Sequence, residues 1–118
     1  MPNLFMKQGE VWQINLDPTV GAEIKKTRPA IIVNDNALGK LPLKIIVPLT
    51  DWKEHYDVAP WMVKIAPDKS NKLKKNSAAD CFQVRSVAEE RLIQHLGFVD
   101  NNIMEQIRKA LAIVLNID

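Results

Sequence analysis

A single cysteine, Cys81, stands in a chain of 118 residues. It has no partner for an internal disulfide, so nothing points to an oxidising compartment. Its surroundings, AADCFQV, form an apolar run. That reads as a small core residue, because a nucleophilic thiolate needs an electropositive, partly open setting. Histidine is almost as scarce. His55 and His95 lie far apart in the sequence and neither belongs to a ligand motif, so no metal constellation is present. Both read as structural or surface residues. There is no phosphate-cradling glycine loop and no GxSxG. No apolar run approaches the ~20 residues that a bilayer span requires. The N-terminal MPNLFMKQGE lacks the apolar stretch of a secretory leader. The expectation is a soluble, cytoplasmic protein with no metal, no cofactor and no membrane contact. Charge of one sign is also lacking: the formal net charge of +2 is too small to argue a polyanionic partner by itself.

The hydrophobic fraction of 47% excludes a disordered chain, and the length suits one domain, 1–118, with one core. The run EVWQINL alternates as a first strand, with Val11, Ile14 and Leu16 on its apolar positions. DPTVGAEIKKT then breaks the pattern at Pro18 and Gly21. PAIIVN is a β-branched strand, and LKIIVPLT is another, in which Pro48 suggests an edge position or a bulge. DWKEHYDVAP is a polar loop bearing aromatics, WMVKIA a strand, PDKSNKLKKNS a loop and AADCFQVRSV a strand. ERLIQHLGFV is open between helix and strand, with strand favoured for its second half. Asp100 is placed to cap a final helix. In that helix Ile103, Ile107, Ala110, Leu111 and Val114 form one apolar face, and Glu105 can pair with Lys109. Short strands followed by one amphipathic helix predict a mainly β fold, a small bent sheet or barrel with a C-terminal helix.

The cations are unevenly placed. Lys25, Lys26 and Arg28 form one cluster; Lys64, Lys69, Lys72, Lys74 and Lys75 form another. Such clusters follow a phosphate backbone, or, read plainly, belong to solvated loops. Three stretches then stand out: Asp17, Pro18, Gly21 and Glu23 followed by Arg28 and Pro29; an apolar strand ending in Thr50; and Gln83 to Val87 followed by Arg91. In that order and spacing they resemble the MazF/PemK family of toxin endoribonucleases, over nearly the whole chain. The resemblance implies an SH3-like barrel, a homodimer, single-stranded RNA bound in a groove at the dimer interface, and a cognate acidic antitoxin. It carries the family's catalytic arginine and threonine onto Arg28 and Thr50, and its loop glutamate onto Glu23. One departure is visible. Many members have glycine or histidine shortly before the arginine, where this chain has Ile24, Lys25, Lys26 and Thr27.

RNA brings its own nucleophile, the 2′-hydroxyl. A protein that cuts it must align that oxygen, take its proton and stabilise the charge that gathers on the phosphoryl group. A guanidinium suits the last task because its planar fork holds two oxygens at once. Pro29 drives Arg28 toward an extended backbone. Thr50 is a poor base but can orient the phosphate. Glu23 is a general-base candidate if burial raises its pKa, against the nearby Lys25 and Lys26. Lys25 and Lys26 are phosphate contacts, and Trp52 and Tyr56 are candidates for stacking on bases. Trp61 stands between stacking and core, and Trp12 reads as structural. Gln83 and Arg85 either bind phosphate or a base edge, or brace the first loop. Two other functions compete: a gyrase-poisoning toxin on the same barrel, which needs neither Arg28 nor Thr50, and a nucleic-acid-binding module without catalysis.

Overall fold

The computed structural model describes residues 6–118. Residues 1–5, which begin the N-terminal stretch read for a leader and the domain reading of 1–118, lie outside the described residues. Seven strands and one helix follow in order: β1 Glu10–Asn15, β2 Thr27–Ile32, β3 Leu43–Asp51, β4 Met62–Ile65, β5 Ser77–Asp80, β6 Arg85–Ala88, β7 Leu92–Phe98 and α1 Asn101–Leu115. The expected mainly β fold with a C-terminal helix is what forms.

All pairings are antiparallel, and the hydrogen-bonded path runs β4-β5-β3-β2-β1-β7, with β6 also on β3. The barrel does not close by strand pairing: among the described residues no ladder joins β4 to β7. The loop after β4 spans that gap, and the Phe98 N–H donates to the Ser70 carbonyl at 3.0 Å. Gly97 makes this possible, since a Cβ there would lie 2.0 Å from the Ser70 oxygen.

β3 is the long central strand. One edge carries β2, through Ala30 opposite Pro48. The other edge carries β6 against Leu43 to Ile46 and then β5 against Leu49 to Asp51. The edge position suggested by Pro48 is therefore corrected. Pro48 sits in the middle of the sheet, at the step where β6 ends and β5 begins, so its missing N–H breaks no ladder. The run 78–87 is likewise not one strand. Asp80 accepts from the Phe82 N–H at 3.1 Å and caps a single 3-10 turn, Cys81–Gln83, that separates β5 from β6. The ambiguous 90–99 run resolves the same way, a 3-10 turn over Glu89–Arg91 and then β7.

Apolar side chains fill both faces of the sheet. Ile14, Leu16, Ala30, Ile32, Ile46, Val87 and Leu92 pack on one face. On the other, Val11, Ile31, Val47, Leu49, Val63 and Ile65 meet Met104, Ile107 and Ala110 of α1. Asp100 caps α1 as its type dictates, accepting from the Ile103 N–H at 2.9 Å. Glu105 pairs with Arg108 at 3.4 Å rather than with Lys109. Cys81 is fully buried, and burial, with Asp80 beside it, pushes its thiol up to about 12. It is a core residue and a protonated one at neutral pH.

One polar group sits deep in this frame. Lys44 is buried, and its ammonium donates to the carbonyls of Gly39, Leu41 and Leu43 and to Glu89 at 2.9 Å. Removing Glu89 leaves a buried charge without its counter-ion, which costs about 3 kcal/mol. Glu89→Ala should therefore shift the urea midpoint strongly. Lys44→Met should cost less, because the stem still packs and Glu89, 23% exposed, can turn to water. Equal losses in the two variants would contradict this account.

Candidate functional site

The site forms around the segment between β1 and β2. Its own short side chains give that segment its shape: Asp17 Oδ1 accepts from the Lys26 N–H at 3.1 Å, and Glu23 Oε1 accepts from the Val20 N–H at 2.6 Å. The Leu16 N–H donates to the Lys26 carbonyl at 3.0 Å and closes the base. Lys26 has φ +71, in the left-handed region that glycine enters without steric cost. This is the place where the sequence departs from the expected glycine or histidine.

Three side chains from the 83–91 segment hold the same loop from behind. Gln83 accepts from the Ile24 N–H at 2.6 Å and donates to the Ala22 carbonyl at 3.3 Å. Arg85 donates to the Leu16 carbonyl at 3.2 Å. Arg91 donates to the carbonyls of Asn15 and Asp17. Of the two roles open to Gln83 and Arg85, bracing the first loop is the one their contacts describe.

Arg28 and Thr50 meet at the mouth of the sheet. Ala30 faces Pro48 in the β2–β3 ladder. Continuing that register one pleat outward sets Arg28 opposite Thr50, just past the last paired residues. Both line a groove of about 580 Å³. Arg28 is half-buried, and its Nε donates to the Lys25 carbonyl at 3.4 Å. Its two terminal nitrogens make no hydrogen bond or ion pair among the described residues, so the fork is left for a ligand.

The lysine loop lines the same groove, and it is not a loose solvated tether. Asn71 is buried; its side chain accepts from the N–H groups of Asp68 and Leu73 and donates to the Ala66 carbonyl, all between 2.9 and 3.1 Å. Asp68 accepts in turn from Ser70 and Asn71. With the turn fixed, Lys72, Lys74 and Lys75 line the groove with Lys26 and Arg28, against one carboxylate, Asp51. Like charges gathered on one concave wall focus the field there, whatever the net charge of the chain.

Other candidates lie elsewhere. Glu23, Gln83 and Arg85 line a separate cavity of about 540 Å³. Glu23 is exposed, so the burial that its use as a base called for is not there. Lys25 is exposed beside the groove. Trp52 and Tyr56 pack edge-on at 5.8 Å, His55 lies 4.6 Å from Tyr56, and the Lys64 ammonium sits 5.2 Å over the Trp52 ring. Their rings contact each other, and neither Trp52 nor Tyr56 lines the groove. Trp61 is 37% exposed, edge-on to Phe82 at 6.1 Å, so it is not core. Trp12 is structural as expected, its indole N–H on Glu10 at 2.9 Å and its ring against His95. The lysine clusters are visible in the sequence, but their place beside Arg28 and the presence of Asp51 in the same lining are not.

A groove rimmed by lysines, with the open fork of one guanidinium and a threonine at strand ends, has the charge and donors that suit an anion, on a small antiparallel β-sheet. The family described as PemK-like, MazF-like toxin of type II toxin-antitoxin system matches residues 7–115, and the chain belongs to it. Endoribonuclease MazF9 of Mycobacterium tuberculosis is 30% identical over 119 residues, covering 96% of this chain and 98% of that protein. Endoribonuclease PemK of Escherichia coli is 29% identical over 112 residues, covering 93% and 82%. Among solved structures, MazF from Deinococcus radiodurans superposes with a TM-score of 0.77 at 20% identity, over 93% of this chain and 96% of that one. An endoribonuclease in complex with its cognate antitoxin, from a mycobacterial species, gives 0.74 at 22% identity, over 95% and 96%. These two structures attest the fold. No helix among the described residues is long and apolar enough to cross a membrane.

Asp80 ties the brace to pH. Its carboxylate accepts from Phe82 N–H and from Gln83 Nε2 at 3.2 Å. Burial pushes its pKa above the ordinary 3.8, and those hydrogen bonds offset only part of the rise. The folded state therefore keeps this proton at pH values where the unfolded chain has released it. Stability carried by Asp80 falls as pH climbs from about 4 through the raised folded value, and stays lower above it. Asp80→Asn lacks that slope. Urea melts of both proteins from pH 4 to pH 7 should show the wild type losing stability relative to the variant as pH rises; parallel curves would refute it.

Proposed function

We propose that this protein is an endoribonuclease toxin that cuts single-stranded RNA in the Arg28–Thr50 groove and needs no metal ion to do so. The observation that carries the reading is the gathering of Lys26, Arg28, Lys72, Lys74 and Lys75 around Thr50 in one groove. The names of the two endoribonuclease relatives favour it as well. Among the described residues no group of three or more His, Cys, Asp or Glu stands close enough to hold a metal. The charge that a metal would neutralise falls instead to the guanidinium.

In this reading the 2′-hydroxyl of the substrate attacks the adjacent phosphorus and the 5′-oxygen leaves. The ends are a 2′,3′-cyclic phosphate and a 5′-hydroxyl. Arg28 holds two phosphoryl oxygens with its free fork, a contribution on the order of 3 kcal/mol in the transition state. Thr50 orients the phosphate. Lys25, Lys26 and the 72–75 lysines take flanking phosphates, which position the strand without reading its sequence. Glu23, Gln83 and Arg85 keep the first loop in place.

The protein's partners are part of the same proposal. A small acidic antitoxin with a flexible tail competes with RNA for the basic groove. Two copies pair into a homodimer. The main apolar face of α1 is already covered within the chain, so it is not what calls for a second copy. Ile113, Leu115 and Ile117 remain more than half exposed at its end. Sedimentation showing a monomer at micromolar concentration would count against the pairing.

Cleavage of a long single-stranded RNA should survive EDTA and stop when the 2′-hydroxyl at the cut site is replaced by hydrogen. A strict magnesium requirement, or gyrase inhibition without cutting, would overturn the reading.

Arg28→Ala should change stability by only ~0.5 kcal/mol, as open-groove substitutions do. It should slow single-turnover cleavage about a hundredfold or more. Arg28→Lys should recover little, since the fork is lost. Thr50→Ala should show a comparable defect in a stable protein. RNA binding should weaken far less than turnover in all three. Near wild-type cutting by Arg28→Ala would remove Arg28 from the mechanism.

A further inference from the structure

We infer that Asp51 is the group that takes the proton from the attacking 2′-hydroxyl. The inference rests on the reading of the groove as an RNA-cleaving site and supplies the base which that reading lacks.

The lining of the groove decides by elimination. Lys26, Arg28, Lys72, Lys74 and Lys75 are cationic donors with no lone pair to offer. Thr27, Thr50 and Ser77 bring hydroxyls, and Gln13 brings an amide; none is a useful base near neutrality. No histidine lines the groove: His95 is edge-on to Trp12 and His55 is against Tyr56. Glu23 belongs to the neighbouring cavity, and its Oε1 is taken by the Val20 N–H. Asp51 is the one carboxylate in the lining.

Asp51 is also fixed at the rim of this groove. It is the last residue of β3, directly after Thr50, and faces Ser77 in the ladder with β5. Its Oδ2 accepts from the Lys75 ammonium at 3.0 Å. Its Oδ1 makes no hydrogen bond among the described residues and is left for substrate. The side chain is 53% exposed, so a ribose can reach it. Five lining cations outweigh the repulsion between this carboxylate and a phosphate.

In the step, the 2′-O–H bond breaks and its proton passes to Asp51 Oδ1. The electron pair left on the 2′-oxygen forms the new P–O bond. The P–O5′ bond breaks, its electrons leave on the 5′-oxygen, and that oxygen takes a proton from water. Asp51 then gives its proton to the hydroxide produced, and nothing is oxidised or reduced. Lys75 is a positioning residue, acting through Asp51.

The test is single-turnover cleavage at neutral pH by wild type, Asp51→Asn, Asp51→Glu, Lys75→Met and Lys75→Arg. It is paired with binding of an RNA lacking the 2′-hydroxyl at the cut site. Loss of a general base costs about a hundredfold or more. Asp51→Asn should show that loss in rate. It should bind the uncleavable RNA at least as tightly as wild type, because one negative charge has left a basic groove. Asp51→Glu should recover part of the rate. Lys75→Met should slow cleavage less than Asp51→Asn does, and Lys75→Arg should restore it. The fold should persist throughout, since an exposed ion pair adds little stability. Asp51→Asn cutting within about threefold of wild type, or losing rate only in step with RNA binding, overturns the role of Asp51 alone. Wild-type protein that leaves RNA uncut overturns the cleavage reading and the role of Asp51 with it.

Discussion

A nine-residue strand, β3, carries more partners than its length ordinarily allows. β2 holds one edge, and β6 and then β5 share the other. The handover on that second edge falls around Pro48, a residue with no N–H to lose. Two consequences follow. The strand end beyond Pro48 is fixed from one side by β5, and β2 departs from it at the position where Arg28 faces Thr50. The divergence leaves a gap between two well-supported strand ends, which is how a rigid sheet presents a guanidinium and a hydroxyl to solvent without mobile loops.

The charge of the groove has a similar origin in buried structure. Sixteen cations and fourteen anions nearly cancel over the whole chain. The local excess arises because Asn71, buried beneath the lysine loop, spends its side chain on three backbone partners and turns the chain there. Lys72, Lys74 and Lys75 are thereby set in the same groove as Lys26 and Arg28. A flexible loop of the same composition would spread its charge over many positions and focus little of it. The local positive charge of the groove is thus tied to a buried polar residue that does not line it.

Much of this was legible from residue order. The β-branched runs, the Asp100 cap and the apolar spacing of the last segment fixed the strands and the helix through local preference and periodicity. Arg28 and Thr50 were marked by motifs in register, and the structure brings them to one groove. What failed to show depends on contacts distant in sequence. The break at Asp80 comes from one side chain capping a turn inside a run that otherwise reads as strand. Pro48 looked like an edge residue because sequence does not reveal that two strands share one edge of β3. Glu23 shares the first motif with Arg28, yet it lines a neighbouring cavity with Gln83 of the third motif, because both hold the loop that Arg28 follows. The mutual edge-on contacts of the aromatics of the 52–56 segment were not legible either, since they depend on how that loop turns.

Under the proposed function, the division of labour follows from what the substrate already contains. A polymer that carries its own nucleophile asks the protein for placement, a proton acceptor and a fixed counter-charge, and these needs pull in different directions. The counter-charge favours many cations. The acceptor must be anionic, and in a basic groove an anion tends to be captured by the nearest lysine. The Asp51–Lys75 pair reconciles the two if only one carboxylate oxygen is engaged. The ammonium then fixes the carboxylate's position, while the second oxygen stays available. Arg28 shows the same economy, one nitrogen anchored on the Lys25 carbonyl and the fork left open. Each of the two proposed reactive groups is thus tethered through one atom and free through another. Such anchoring lowers the entropy lost on reaching a reactive geometry.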